Sequence, residues 1–230
     1  MIREEQPPLF PPPRPRRGKG AHPLLRFEDE LWARGLLRVA GVDEAGRGPL
    51  AGPLVAAAVI LRPHAPVGLI RDSKRLSAAQ RDDVIAFIHE QALTWSVARI
   101  EPGDIDRLNV LQATLRAMRM AVERLRTRVD YVLVDGTYCI PGAGLAQRSL
   151  VRGDQRSASV AAASIVAKVT RDRIMMEYHA QYPEYGFDEH KGYGTAAHLD
   201  ALRLHGPCPI HRRSFGPVRE LTEARLNLDA

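Results

Sequence analysis

Cysteine is all but missing: Cys139 and Cys208 are the only two in 230 residues. Two thiols are too few for a disulfide framework and lack the clustering of a thiolate metal site. Long apolar runs are missing as well. No stretch approaches the ~20 residues that cross a bilayer, which argues against a membrane-embedded protein. Residues 1–22 lack the apolar core of a secretory signal, opening on Arg3, Glu4 and Glu5 and then turning to proline. Together these absences point to a reducing, cytoplasmic setting. No internal repeat marks a solenoid.

What is present is ordinary in bulk. A 45% hydrophobic and 26% charged composition fits a globular protein of one or two domains. The net charge is +6, and half of it comes from residues 1–22, where Arg3, Arg14, Arg16, Arg17 and Lys19 stand against Glu4 and Glu5. The remaining body is mildly basic, which permits a polyanionic partner without demanding one. The stretch QPPLFPPPRPRR (residues 6–17) removes backbone donors and favours extended polyproline geometry, so residues 1–22 are expected to be a disordered, proline-rich basic tail.

From Pro23 the pattern is that of alternating strands and helices. Leu24, Phe27, Leu31 and Leu36 have the spacing of a short amphipathic helix. RVAGVDEAGRGPLAGPLVAAAVIL (38–61) reads as two strands around a Gly/Pro-rich, ligand-ready turn. A helix capped by Ser77 is expected over 77–92, then a strand over 94–100. A helix over 111–126 delivers the chain to the strand YVLVDG (131–136), a βαβ-like passage. A strand near 147–152, an Ala-rich helix from Ser157 to His179 and helices over 195–204 and 217–227 complete the expectation.

Four acids stand where burial should exclude them. Asp43 and Glu44 end the apolar run VAGV, and Asp135 ends YVLV. Burying an unpaired carboxylate costs several kcal/mol; the plain alternative is that each caps a turn or pairs with an arginine. Asp172 lies inside the Ala-rich helix, and with Ser164 and Lys168 forms a polar stripe at i, i+4, i+8. A solvated, salt-bridged face accounts for that stripe equally well. If the two strands are neighbours and the helix packs over their ends, the four carboxylates meet. Two divalent cations would then balance them, and hard oxygen donors select Mg²⁺ or Mn²⁺ over zinc. Such a site suits phosphodiester hydrolysis.

GVDEAGRGPLAGP (41–53), DSKRL (72–76), LVDG (133–136), AAASIVAKVTRD (161–172), HKGYGT (190–195) and HRRSF (211–215) together resemble the ribonuclease HII family, in that order and spacing, over roughly residues 38–218. The resemblance implies an α/β fold, a ribonuclease H-like mixed sheet flanked by helices with a small helical C-terminal portion. It places the catalytic domain at 23–195 and a substrate-binding portion at 196–230. It also implies a metal-binding set of acids, falling on Asp43, Glu44, Asp135 and Asp172, with two Mn²⁺ or Mg²⁺ ions as cofactors. Gly46, Arg47 and Gly48 would meet the ribose 2′-hydroxyl, and Tyr193 would assist at the RNA–DNA junction. Those roles make chemical sense: glycines let the backbone approach a sugar, and main-chain groups can engage a hydroxyl that both donates and accepts.

The implied substrates are RNA–DNA hybrids and duplex DNA carrying single ribonucleotides, cut on the 5′ side of the ribonucleotide by a monomer. The sister family, ribonuclease HIII, carries a large N-terminal domain and a different loop, and the proline-rich tail here favours HII. Ser73, Lys74, Lys168 and Lys191 are candidates for phosphate contacts, which position a duplex without reading it. His211, Arg212 and Arg213 could extend that basic track. Gln6, Leu9 and Phe10 resemble the short peptide with which repair proteins dock on the bacterial sliding clamp. Two other readings remain open: a resolvase-like nuclease sharing the acids, and a non-catalytic nucleic-acid-binding module.

Overall fold

The computed structural model describes residues 22–70 and 78–228. Ser77, Ser73, Lys74, Gln6, Leu9 and Phe10 lie outside the described residues, as does the tail expected over 1–22 apart from His22.

Five strands form one sheet: β1 (Val39–Ala45), β2 (Leu54–Leu61), β3 (Ala92–Ile100), β4 (Tyr131–Asp135) and β5 (Gln147–Leu150), in the order β3-β2-β1-β4-β5. β1, β2 and β3 are antiparallel neighbours, whereas β4 runs parallel to β1 and β5 parallel to β4. This is the expected mixed sheet. β2, LVAAAVIL, is buried along its whole length, as a strand covered on both faces must be.

The helices are α1 (Arg26–Trp32), α2 (Ala78–Gln91), α3 (Pro102–Leu108), α4 (Val110–Glu123), α5 (Ala158–Gln181), α6 (Phe187–His190), α7 (Ala196–His205) and α8 (Gly216–Leu228). One face of the sheet packs on α4, with Ala40, Val42, Ala56 and Val132 against Ala113, Ala117 and Ala121. The other packs on α1, α2 and α5. α3 was not expected from the sequence. Its Pro102 begins the helix, and Asn109, in a left-handed conformation at φ 66°, ends it and caps α4 through Oδ1.

α5 positions the site. Its first half is so rich in alanine that it can lie almost against the sheet, and Ala158, Ala161, Ala162, Ala163 and Ala167 are all buried. The approach is closest at Gly41, where an added Cβ would stand 2.0 Å from the Ser159 carbonyl carbon and 2.2 Å from the Val160 nitrogen. Only hydrogen fits there. Ser157 caps the helix by accepting from the Val160 N–H, and its Oγ donates to Glu28 Oε1 at 2.6 Å. Glu28 also accepts from the Ser159 N–H at 2.9 Å, so a buried carboxylate of α1 sits at the positive end of α5.

Candidate active site

The parallel pairing of β1 with β4 creates the acidic centre. Val42 pairs with Val134, so the next residues along, Asp43 and Asp135, lie side by side at the carboxyl ends of adjacent strands, about 4.8 Å apart in the pairing direction. Such strand ends are where open α/β sheets place their ligands. Glu44 adds a third carboxylate at the same edge.

Each of the three is harder to ionise than a free carboxylate. Burial is the first cause for Asp43, followed by the charges of Glu44 and Asp135; hydrogen bonds from Ser164 and the Glu44 N–H pull the other way, and the net push is strongly upward. Burial also raises Glu44, with Asp135 adding to it and Arg47 opposing; Arg47 Nη1 stands 3.4 Å from Glu44 Oε1. Asp135 is raised by burial and by the charge of Asp154, although its Oδ1 accepts from the Gly153 N–H at 2.6 Å. Crowded, half-desolvated carboxylates of this kind gain from a cation.

A cleft of about 550 Å³ opens beside the acids, lined by Glu44, Gly46, Arg47, Gly48, Lys168 and Tyr193 among others. The glycine loop and Tyr193, far apart in sequence, thus face the same space as the acidic edge. Tyr193 is half exposed, and its ring lies within 3.7 Å of where a Cβ on Gly48 would be. Lys168 reaches the same cleft.

Other expected residues are placed differently. Asp172 lies two helical turns beyond Ser164, about 12 Å along the axis at 1.5 Å per residue. Its carboxylate is paired with Lys168 Nζ at 2.6 Å, and it is not among the charges that chiefly raise the other three acids. The helix stripe is therefore the salt-bridged face, and the expected meeting of Asp172 with the strand-end acids is replaced by Asp154, on the turn Gly153–Gln155 ahead of α5. The topology explains it: β5 is parallel to β4, so the turn that follows it returns to the edge where Asp135 ends. Among the described residues no group of three or more His, Cys, Asp or Glu side chains is arranged to hold a metal ion as it stands.

Lys191 spends its Nζ on the Asp188 carbonyl and the Met176 sulfur. His211 and Arg212 are buried, not part of a basic surface track. His211 Nδ1 accepts from the Cys208 N–H, so its Nε2 carries the proton given to His198 Nε2 at 3.0 Å, and His198 Nδ1 in turn donates to the Tyr193 carbonyl at 2.9 Å. Burial holds both rings neutral, pushing each down to about 4. The residues following Thr195 do not stand apart: Leu202 of α7 and Val218 of α8 pack on Leu50 of the glycine loop.

The model of the family Ribonuclease HII matches residues 40–218. A ribonuclease HII of Syntrophobacter fumaroxidans is 54% identical over 196 residues, 85% of this chain and 84% of that one. The crystal structure of ribonuclease H2 from Pyrococcus horikoshii superposes with a TM-score of 0.70 at 29% identity, covering 81% of this chain and 98% of the other. The ribonuclease HII in a complex with PCNA from Archaeoglobus fulgidus gives 0.65 at 25% identity, over 78% and 96%. With its mixed sheet, its acidic strand ends and this match over most of its length, the chain belongs to the ribonuclease HII family and is a hydrolytic endoribonuclease.

Proposed function

We propose that the chain cuts on the 5′ side of ribonucleotides, both in RNA–DNA hybrids and at single ribonucleotides embedded in duplex DNA, with two divalent cations, Mn²⁺ or Mg²⁺. The observation that carries the reading is the junction of the acidic edge with the cleft: three carboxylates all raised above their usual range, first by burial, beside a loop without side chains at Gly46 and Gly48.

Asp43, Glu44 and Asp135 would hold the cations, with Asp154 as the fourth carboxylate. When bound, the cations supply an activated water and stabilise the charge on the leaving oxygen. The chain's own groups do the rest. Ser164 and the Glu44 N–H orient the Asp43 carboxylate, and the Gly153 N–H orients that of Asp135. The loop Gly46–Gly48 offers main-chain groups to the 2′-hydroxyl, the one group that separates RNA from DNA. Tyr193 provides a flat face across the cleft, and Lys168, at its rim, a phosphate contact.

Product mapping on a duplex with one embedded ribonucleotide tests this reading. One cut on its 5′ side, lost when the ribose is replaced by deoxyribose, is the expected result. Equal cutting of the all-deoxy duplex would favour a resolvase-like nuclease, and binding without cutting a non-catalytic module.

The remaining assignments belong to the same reading. We take the chain to act as a monomer in the cytoplasm; both cysteines are free, which suits a reducing compartment. Because a relative has been solved in complex with PCNA, we extend the proposal to clamp docking through Gln6, Leu9 and Phe10. A labelled peptide of residues 1–22 should bind the bacterial clamp, and no binding at high micromolar concentration removes the idea.

A further inference from the structure

Arg171 and Arg212 are almost wholly buried, 1% and 0% exposed, and the hydrogen bonds they donate run to main-chain carbonyls. Arg212 reaches Gly46 at 2.6 Å, Arg47 at 3.0 Å and Gly52 at 2.9 Å. Arg171 reaches Pro53 at 3.0 Å, Ala51 at 3.1 Å and Lys191 at 3.0 Å. Six carbonyls of the glycine loop and of the segment bearing Tyr193 thus converge on two guanidiniums. Desolvating a cation is costly, so a fold that buries two beneath one loop gains something that a neutral side chain would not provide.

What it gains is orientation. In a trans peptide the carbonyl and the following N–H point in opposite directions. With the carbonyls of Gly46 and Arg47 drawn inward to Arg212, the N–H groups of Arg47 and Gly48 are turned outward, on the side where both residues line the cleft. Among the described residues neither N–H donates to a backbone carbonyl of the loop's surroundings, unlike those of Leu50 and Gly52, which are bound to Gly192 and Ile210. Gly46 is shaped to this grip: its φ is 95°, and a Cβ there would stand 2.2 Å from Arg171 Nε. Arg171 also lies 6.0 Å from the centre of the Tyr193 ring, tying loop and tyrosine to one support.

We propose that Arg171 and Arg212 are positioning residues, which set the 46–53 loop so that the Arg47 and Gly48 N–H groups face the sugar of the bound ribonucleotide. The inference rests on the reading of that loop as the sugar sensor. It implies that sugar recognition depends on the guanidinium fork, not merely on buried positive charge.

Arg212→Lys keeps a cation and loses the fork. On a duplex with one ribonucleotide, kcat should fall about tenfold to a hundredfold at nearly unchanged KM, because phosphate contacts elsewhere still bind the duplex. Amide exchange should rise at Leu50 and Gly52, whose N–H groups are bonded to Gly192 and Ile210, while β1 and β2 stay protected. Unchanged kcat with unchanged loop exchange overturns the proposal. Should the sheet lose protection too, Arg212→Ala with added guanidinium decides: recovery of kcat with guanidinium but not ammonium supports the inference, and no recovery overturns it. Wild-type protein that fails to cut at the ribonucleotide would instead remove the proposed function, and the exchange measurement still reports on the grip.

Discussion

Replacing Gly41 by alanine puts a methyl carbon 2.0 Å from the Ser159 carbonyl carbon and 2.4 Å from its oxygen. Non-bonded carbons normally rest at about 3.5–4.0 Å, so relief requires α5 to withdraw from β1 by roughly 1.5–2 Å. The atoms met are backbone, and no side-chain rotation can absorb the clash. Overpacking of this sort costs about 1–3 kcal/mol, and the rigidity of the obstacle argues for the top of that range. At about 2–4 °C per kcal/mol for a domain of this size, the melting temperature should drop by roughly 6–12 °C in a calorimetric or circular-dichroism melt. Cleavage should suffer as well, because α5 carries Ser164, which bonds Asp43, and Lys168 at the cleft. Gly103→Ala is the control: it lies in α3 with nothing near its would-be Cβ, and alanine there should stabilise by about 0.5–1 kcal/mol. A Gly41→Ala protein that melts and cuts like the wild type would refute the close-approach argument.

Two further predictions concern charge. In EDTA, Asp135→Asn should raise the melting temperature, by on the order of 1 kcal/mol of stability, since asparagine keeps an acceptor for the Gly153 N–H and removes one of the repelling charges; a clear decrease would mean that Asp135 is held by a structural partner. His198 and His211 titrate near 4 when folded against an ordinary 6.5, so the stability they contribute is complete above pH 6.5 and is lost as the pH falls towards 4. His211→Gln should flatten that part of the melting-temperature profile, even if it melts lower throughout; a slope equal to the wild type's would show that other groups cause it.

The strands and the long helices were legible because burial writes itself into sequence: LVAAAVIL and YVLV leave little choice but a covered sheet, and Ser157 ahead of an alanine run marks the start of α5. Asp43, Glu44 and Asp135 were legible for the same reason, as acids at the ends of buried strands. Asp172 misled because helical spacing tells which face a residue shares and not how far along the axis its partner lies. Asp154 was hidden in a short polar turn, and only the parallel pairing of β5 with β4 brings it to Asp135. The inward aim of Arg212 had no signal in composition, since HRRSF reads as surface basicity until the loop that it grips is in place. α3 is short and charged, and its one cue was Pro102 at the first helical position.

Calorimetric titration of Mn²⁺ into the wild-type protein and into Asp43→Asn, Asp135→Asn, Asp154→Asn and Asp172→Asn tests the metal site most directly. Binding should weaken strongly on loss of Asp43 or Asp135, measurably on loss of Asp154, and little on loss of Asp172. Undiminished binding in the Asp43 and Asp135 variants would contradict the assignment of the cations to the strand-end acids.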